Sequence, residues 1–408
     1  MSLIFKDRSR LSPRYIPDRL PHREKQIESL FSIYRDALDN VGNAFLRPVQ
    51  IVGGVGTGKT CTTTKFGEMM ENEASKRRVP LTHVYVNGKV DGASRYTLYR
   101  RILEKASPAV SSRSLSPEEM LTQMVKNLIN EGRYLLISFD EVDYFCKRNK
   151  EGVVYDLTRL NEMTPGEPCN VLGVLFIARD LSFYNLLEPS ELSTLGYTVI
   201  KFPRYSSEQI KDILEERVSA AFKPNKVSDE VLEFISDVTA QPPINGDVRV
   251  ALDLLLYSGN LAENMGFDRI LPDHVRRVFG ETHTAITTED IVNLDETGKL
   301  VLLGLVRALL VSKTPYVGLK DISEYYRLVC EEYNVKPFNN MEEYVEDLID
   351  RGIVNMKSLT KLGISGASAE DLERFLNGIL QRLRSGLNEY EQEKAGRHRG
   401  WFRERWKA

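Results

Sequence analysis

Val49-Gln50-Ile51-Val52-Gly53-Gly54-Val55-Gly56-Thr57-Gly58-Lys59-Thr60-Cys61 is a short apolar run that breaks into glycines and then into a lysine and a threonine. Val49–Val52 has the β-branched composition of a buried strand. Gly53–Thr60 satisfies GxxxxGK[ST], in which glycines let backbone N–H groups turn inward around phosphates. Lys59 then reaches β- and γ-phosphates, and the Thr60 hydroxyl holds Mg²⁺. The helix that starts there aims its positive end at the anion. The candidate phosphate contacts are Gly53, Val55, Gly56, Thr57, Gly58, Lys59, Thr60 and Cys61. A glycine-rich turn with an incidental Lys-Thr is the bland alternative, and the strand–loop–helix context weighs against it. Cys61 sits where a helix N-terminus can activate a thiol; a small residue behind the loop is the simpler reading.

Working outward, Leu135-Leu136-Ile137-Ser138-Phe139-Asp140-Glu141 is a buried strand ending in adjacent carboxylates, about eighty residues after Lys59. Asp140 is expected to hold Mg²⁺ and Glu141 to polarise an attacking water. An Asp-Glu pair that merely caps the next helix is the competing reading. Further short runs at Thr82–Val86, Val171–Ile177 and Thr198–Phe202 alternate with amphipathic stretches. That alternation predicts a parallel sheet wrapped by helices.

After Ser206 the β-signal stops. Ser206 with Gln209 forms a capping box, and Ser228 and Asp247 are expected caps of two more helices, with Pro242-Pro243 between them. Gly246-Asp247-Val248-Arg249 heads a helix whose arginine could reach a γ-phosphate or could simply be solvated. Thr282–Thr288 reads as a polar linker. Helices are expected over Leu294–Ser312, Leu319–Tyr333 and Met341–Arg351, then a hairpin of Ile353–Met356 with Leu359–Ile364. Three helices and a hairpin are the order of a winged helix.

The 408 residues suit two or three domains, and 42% hydrophobic with 28% charged is a globular balance. A net charge of −3 advertises no global basic field, so any nucleic-acid contact must be local. Cys61, Cys146, Cys169 and Cys330 form no CxxC pair and read as reduced thiols. Met1–Arg14 lacks an apolar signal core, and Val301–Val311 is too short to span a bilayer. The expectation is a cytoplasmic, nucleoid-associated protein without a membrane partner. Lys394, Arg397, Arg399, Arg403, Arg405 and Lys407 are interleaved with Trp401, Phe402 and Trp406. This tail suits either stacking on nucleic acid or an amphipathic helix packed on its own domain.

With these residues in view, the chain resembles the archaeal replication-initiator AAA+ ATPases related to the origin-recognition complex and the cell-division-cycle helicase loader. Tyr15-Ile16-Pro17-Asp18-Arg19-Leu20-Pro21-His22-Arg23-Glu24 is similar to that family's adenine-lining segment. Phe202-Pro203-Arg204-Tyr205 through Leu214 is similar to its approach to the lid. Gly246–Asp253 is similar to its second sensor helix. The resemblance implies nucleotide contacts at Tyr205, Arg217 and Arg249. It also implies an α/β P-loop ATPase domain (residues 1–205), a helical lid (206–285) and a C-terminal winged-helix DNA-binding domain with the basic tail (286–408). Implied cofactors are ATP or ADP and Mg²⁺; implied partners are double-stranded origin DNA, other initiator subunits and the replicative helicase.

Departures from the family pattern shape the expected function. Arg179 stands where the family places a water-orienting asparagine, and Glu188–Leu195 offers no arginine to serve a neighbour. Nucleotide is therefore expected to act as a conformational switch, with slow hydrolysis. Glu342, Glu343, Glu346, Asp347 and Asp350 load the helix that would read DNA with acid, which opposes a phosphate backbone. Either those acids face away from DNA, or the groove is read from elsewhere, with the wing (Lys357, Lys361), the tail and Leu181–Leu195 as the candidates. Two alternatives stay open: a signal-transduction P-loop NTPase with a protein-binding winged helix, and a non-hydrolysing regulatory initiator paralogue.

Overall fold

The structure is a computed structural model, and it describes residues 2–149, 152–168, 170–283, 286–358 and 360–385. The chain forms two compact units. One holds Pro13–Ile213 and Pro242–Val250; the other holds residues 2–12, Leu214–Gln241 and the described residues from Ala251 onward.

The first unit opens with α1 (Glu24–Asp39), then β1 (Arg47–Val52) and α2 (Lys59–Lys76). There follow β2 (Leu81–Asn87), α3 (Arg95–Ala106), α4 (Pro117–Asn130), β3 (Tyr134–Asp140), α5 (Val142–Arg148) and α6 (Val153–Thr158). β4 (Val171–Ala178), α7 (Pro189–Leu195) and β5 (Val199–Lys201) complete the five-stranded sheet, whose order is β2-β3-β4-β1-β5 with every pairing parallel. Central β4 is buried at every position, as a strand covered by helices on both faces must be. Val174, Phe176 and Ala178 join Leu98, Ile102 and Met124 on one side; Leu175 and Ile177 join Leu30, Tyr34 and Phe66 on the other. Each Val, Leu, Ile, Met or Phe side chain removed from water stabilises by roughly 1.5–3 kcal/mol, which fixes the sheet between its two helical layers. The order matters for function: β1 and β3 flank β4, so the residues leaving all three strands emerge together at their C-terminal edge.

α8 (Ser207–Ala221) begins in this unit and crosses into the second. Its capping box is made as expected: Ser206 N–H donates to Gln209 Oε1 at 3.2 Å and Gln209 N–H to Ser206 Oγ at 3.3 Å. Ser228 does precede α9 (Asp229–Ala240), but its side chain accepts no capping bond. Asp229 and Glu230 in the first turn supply negative charge at the helix's positive end instead. α10 (Val248–Asn264) is capped by Asp247, whose Oδ1 accepts from Arg249 N–H at 2.9 Å.

The second unit continues through α11 (Pro272–Thr282), α12 (Thr288–Val292), α13 (Glu296–Ser312), α14 (Leu319–Glu332) and α15 (Met341–Asp350). The hairpin β6 (Asn355–Ser358) and β7 (Lys361–Gly363) is joined by Val317, which bridges to Leu362, and a helix covers 369–385. α13 starts at Glu296, later than the expected Leu294, because Asp295 accepts from Gly298 N–H at 2.7 Å and caps it. Leu302, Val306, Ile322, Val345, Leu348 and Leu376 build the winged-helix core. Within this unit the lid helices are tied to the winged helix. Arg276, fully buried on α11, donates to the carbonyls of Ile364, Thr314 and Pro315 at 2.9, 3.1 and 3.0 Å. Among the described residues, no helix is long and apolar enough to cross a membrane.

Candidate functional site

Gly56 and Gly58 adopt φ of 71° and 83°, where a side chain is strained. Space forbids one as well: a Cβ on Gly58 would sit 2.8 Å from the Tyr205 hydroxyl, and one on Gly56 would sit 1.8 Å from Asp247 Oδ1. The turn is braced by Thr57 Oγ1, which donates to the Gly54 carbonyl at 2.9 Å. Lys59 folds back over the loop and donates to the carbonyls of Gly53 and Gly54. Burial pushes its ammonium below the ordinary lysine range; Asp140 pulls it back up and Arg249 pushes it down again. Arg249 thus belongs electrostatically to the loop, although its own side chain is exposed.

The two carboxylates leave β3 with separate environments. Asp140 is buried, and its Oδ2 accepts from Thr60 Oγ1 at 2.6 Å and from Tyr85 Oη at 2.7 Å, while its Oδ1 accepts from Glu141 N–H at 2.8 Å. Burial first, and then the Asp140 charge, push the Tyr85 phenol well above its ordinary range, so it stays a donor. Glu141 takes a left-handed backbone, φ 56°, in front of α5. Its side chain makes no capping bond, so the simple-cap reading does not describe it. Instead its Oε2 lies 3.5 Å from Arg179 Nη2 and 3.6 Å from Lys89 Nζ. Arg179, just past the end of β4, also approaches Asp143 at 3.8 Å.

Tyr205 is buried against the loop, and burial pushes its phenol up to about 12. The Arg23 guanidinium lies over its ring at 3.8 Å and donates to the Thr57 carbonyl at 3.0 Å. The role of Arg23 is not legible in the sequence, because a lone arginine normally predicts surface. Cys61 is half-buried in the first turn of α2. Arg217 belongs to the second unit, where it is buried and its Nη1 donates to the Arg10 carbonyl at 2.9 Å.

The candidate DNA-facing elements fare unevenly. Leu181–Leu186 is a turn of 3₁₀-helix before α7, and Leu181, Leu186, Leu192 and Tyr197 are exposed. On α15, Glu342, Glu343, Glu346 and Asp350 are exposed, while Met341, Val345 and Leu348 face the core. The wing lysine Lys357 is not free: its Nζ pairs with Glu233 and, at 2.9 Å, with Asp237, both on α9. Lys361 is exposed. The basic tail lies outside the described residues.

Comparison with known proteins gives the same outline. Residues 47–187 match the family model of the AAA domain, 211–279 that of the Cdc6 AAA+ ATPase-type lid domain, and 289–365 that of the CDC6 C-terminal winged helix domain. The ORC1-type DNA replication protein 1 of Sulfolobus acidocaldarius is 34% identical over 349 residues, covering 85% of this chain and 83% of that protein. The crystal structure of Cdc6p from Pyrobaculum aerophilum is 29% identical with a TM-score of 0.78, covering 93% of this chain and 99% of that one. The Aeropyrum pernix ORC1 protein, solved in complex with DNA, is 28% identical with a TM-score of 0.61 over 93% of this chain and 98% of that one. The ORC2 protein of the same organism, solved as ADPNP-ADP complexes, is 26% identical with a TM-score of 0.63 over 94% and 100%. A phosphate loop braced by Tyr205 and Asp247, a helical lid and a winged helix accompany this likeness over most of the chain, which belongs to the Cdc6/ORC1-type family of AAA+ DNA replication initiators.

Proposed function

We propose that this chain holds ATP or ADP at Gly53–Thr60, uses the nucleotide as a conformational switch, hydrolyses it slowly, and binds double-stranded origin DNA. The observation that carries the nucleotide reading is the 2.6 Å hydrogen bond from Thr60 Oγ1 to Asp140 Oδ2. It brings a hydroxyl at the head of α2 and a carboxylate at the end of β3 to one point beside a phosphate-type loop. Such hard oxygen donors suit magnesium, which is held through one or two carboxylates plus substrate phosphates rather than by an all-protein cage. Among the described residues no cluster of three or more His, Cys, Asp or Glu offers such a cage, so Thr60 and Asp140 are the residues that would hold the ion. Bound there, magnesium neutralises charge on the phosphates. Lys59 would turn from the Gly53 and Gly54 carbonyls to the β- and γ-phosphates, and Arg249 would add charge from α10.

Glu141 is the group to orient a water for attack on the γ-phosphate. Its Oε2 is engaged by Arg179 and Lys89, and Glu188–Leu195 brings no arginine to a neighbour's site. Both features support slow turnover. The Aeropyrum relatives, solved with DNA and with nucleotide, support the DNA and nucleotide parts of the reading. Other initiator subunits and the replicative helicase are the partners that fit it, and a cytoplasmic, nucleoid-associated location goes with it.

Lys59→Ala tests the site: ADP affinity is expected to fall about a hundredfold or more, read by equilibrium titration, because backbone amides cannot replace the lysine charge. Undiminished affinity would show that the loop takes no nucleotide. Glu141→Gln is expected to keep ATP binding and to abolish single-turnover hydrolysis. A second reading, a winged helix that faces protein, draws on the exposed acids of α15. DNA affinity that falls steeply with salt favours the first reading over it.

A further inference from the structure

Arg23, immediately before α1, is one of two arginines, with Arg276, among the fully buried side chains of the described residues. Its Nε donates to the Thr57 carbonyl at 3.0 Å, its Nη2 to the Pro203 carbonyl at 2.9 Å and its Nη1 to the His22 carbonyl at 2.8 Å. The guanidinium carbon lies 3.8 Å from the centre of the Tyr205 ring and 5.4 Å from that of Phe202. Burying a charge is costly, and the Tyr205 phenol and the Glu24 carboxylate next along the chain offset only part of the cost. Burial accordingly pushes this guanidinium below the ordinary arginine range.

The placement explains why the charge is tolerated. Thr57 is in the phosphate loop, Pro203 lies just past the end of β5, and Tyr205 is the ring whose hydroxyl closes over Gly58. One planar fork therefore ties the chain just before α1 to two other segments, the phosphate loop at Thr57 and the connection after β5 at Pro203 and Tyr205. A lysine could supply the charge but not the fork.

We propose that Arg23 is a positioning residue of the nucleotide pocket, locking the Thr57 carbonyl of the phosphate loop to the Pro203 carbonyl and the Tyr205 ring so that nucleotide phosphates meet a preset loop. This rests on the nucleotide-binding reading of Gly53–Thr60. A purely structural arginine behaves differently. Its loss leaves carbonyls unpaired and lowers stability, but does not change the ligand affinity of the molecules that fold. Loss of a preset loop instead appears in ligand affinity.

The test uses the full chain, a fluorescent ADP analogue and thermal melting without nucleotide. Arg23→Met is expected to melt somewhat below the parent, because it leaves carbonyls unpaired, and once folded to bind the analogue about tenfold more weakly or worse. Arg23→Lys is expected to bind as poorly as Arg23→Met, and guanidinium ion, below concentrations that unfold the protein, is expected to restore part of the affinity of Arg23→Ala. If Arg23→Met does not fold, the lysine variant and the guanidinium rescue decide. Parent-like affinity in Arg23→Lys shows that charge alone suffices and overturns the anchoring role. So does affinity within about twofold of the parent in Arg23→Met. If the parent itself does not bind, or Lys59→Ala binds equally well, the nucleotide reading fails first and is identified as the cause.

Discussion

His83 shows how a single half-buried group sets a pH limit on the sheet. It stands on β2 with Nε2 2.8 Å from Ser138 Oγ on β3, and its backbone N–H donates to Glu71 Oε1 at 2.7 Å. Its ring fills the space above Gly67 of α2, where an added Cβ would lie 1.9 Å from Nδ1. Burial pushes the imidazole down from 6.5 to about 4. The folded protein therefore keeps the ring neutral where the unfolded chain has already taken up a proton. Stability from this group is complete above pH 6.5 and is lost as pH falls towards 4, a shift worth ~3 kcal/mol. His83→Gln is expected to fold and to show a shallower fall of the urea midpoint across that window. Equal slopes in the variant and the parent would mean that other groups carry the acid sensitivity.

The wing shows what an element's partners add to its sequence. Lys357 on β6 was open to assignment as a DNA contact, yet it is paired with Glu233 and Asp237 of α9, 124 residues from Glu233 along the chain. Tyr316 Oη donates to the same Asp237 at 3.0 Å, so the pairing is braced from the turn before α14. Nothing local to Lys357 could have announced this. By contrast, the strand–loop–helix around Lys59 was legible, because glycine spacing and a Lys-Thr pair report local backbone geometry. The end of β3 was legible for a similar reason. The left-handed backbone of Glu141, its Arg179 and Lys89 neighbours, and the burial of Arg23 were not, since each depends on chain brought in from elsewhere. The wing pairing has a measurable consequence on the DNA-binding reading. Glu233→Gln with Asp237→Asn leaves Lys357 free to meet phosphate. Non-specific DNA affinity is then expected to rise, and the slope of log affinity against log salt to steepen by about 0.9. An unchanged slope would place the wing away from the duplex.

At the scale of the whole molecule the question is where a chain of net charge −3 finds cations for a phosphate backbone. α15 presents Glu342, Glu343, Glu346 and Asp350 to solvent, and Lys357 is already paired with Glu233 and Asp237, so neither offers a phosphate backbone a positive field. The sequence beyond Gly386 runs the other way, with six cations from Lys394 to Lys407 against the single acid Glu404 within that stretch. Each cation that meets a phosphate releases counterion and contributes about 0.9 to the salt slope, with little regard to base sequence. A chain ending at Gly386 is therefore expected to bind every duplex more weakly and with a shallower slope, while its nucleotide affinity stays at the parent value. Glu342→Lys with Glu346→Lys in the full chain reports on α15: non-specific binding rises if that helix borders the duplex and is unchanged if it is turned away. Full affinity and an undiminished slope in the shortened chain would make the tail structural, and Leu181–Leu195 with Lys361 would then be the DNA-facing elements. If the full-length chain shows no salt-dependent DNA binding at all, the initiator reading gives way to a winged helix that faces protein, and the exposed acids of α15 become the surface on which to look for that partner.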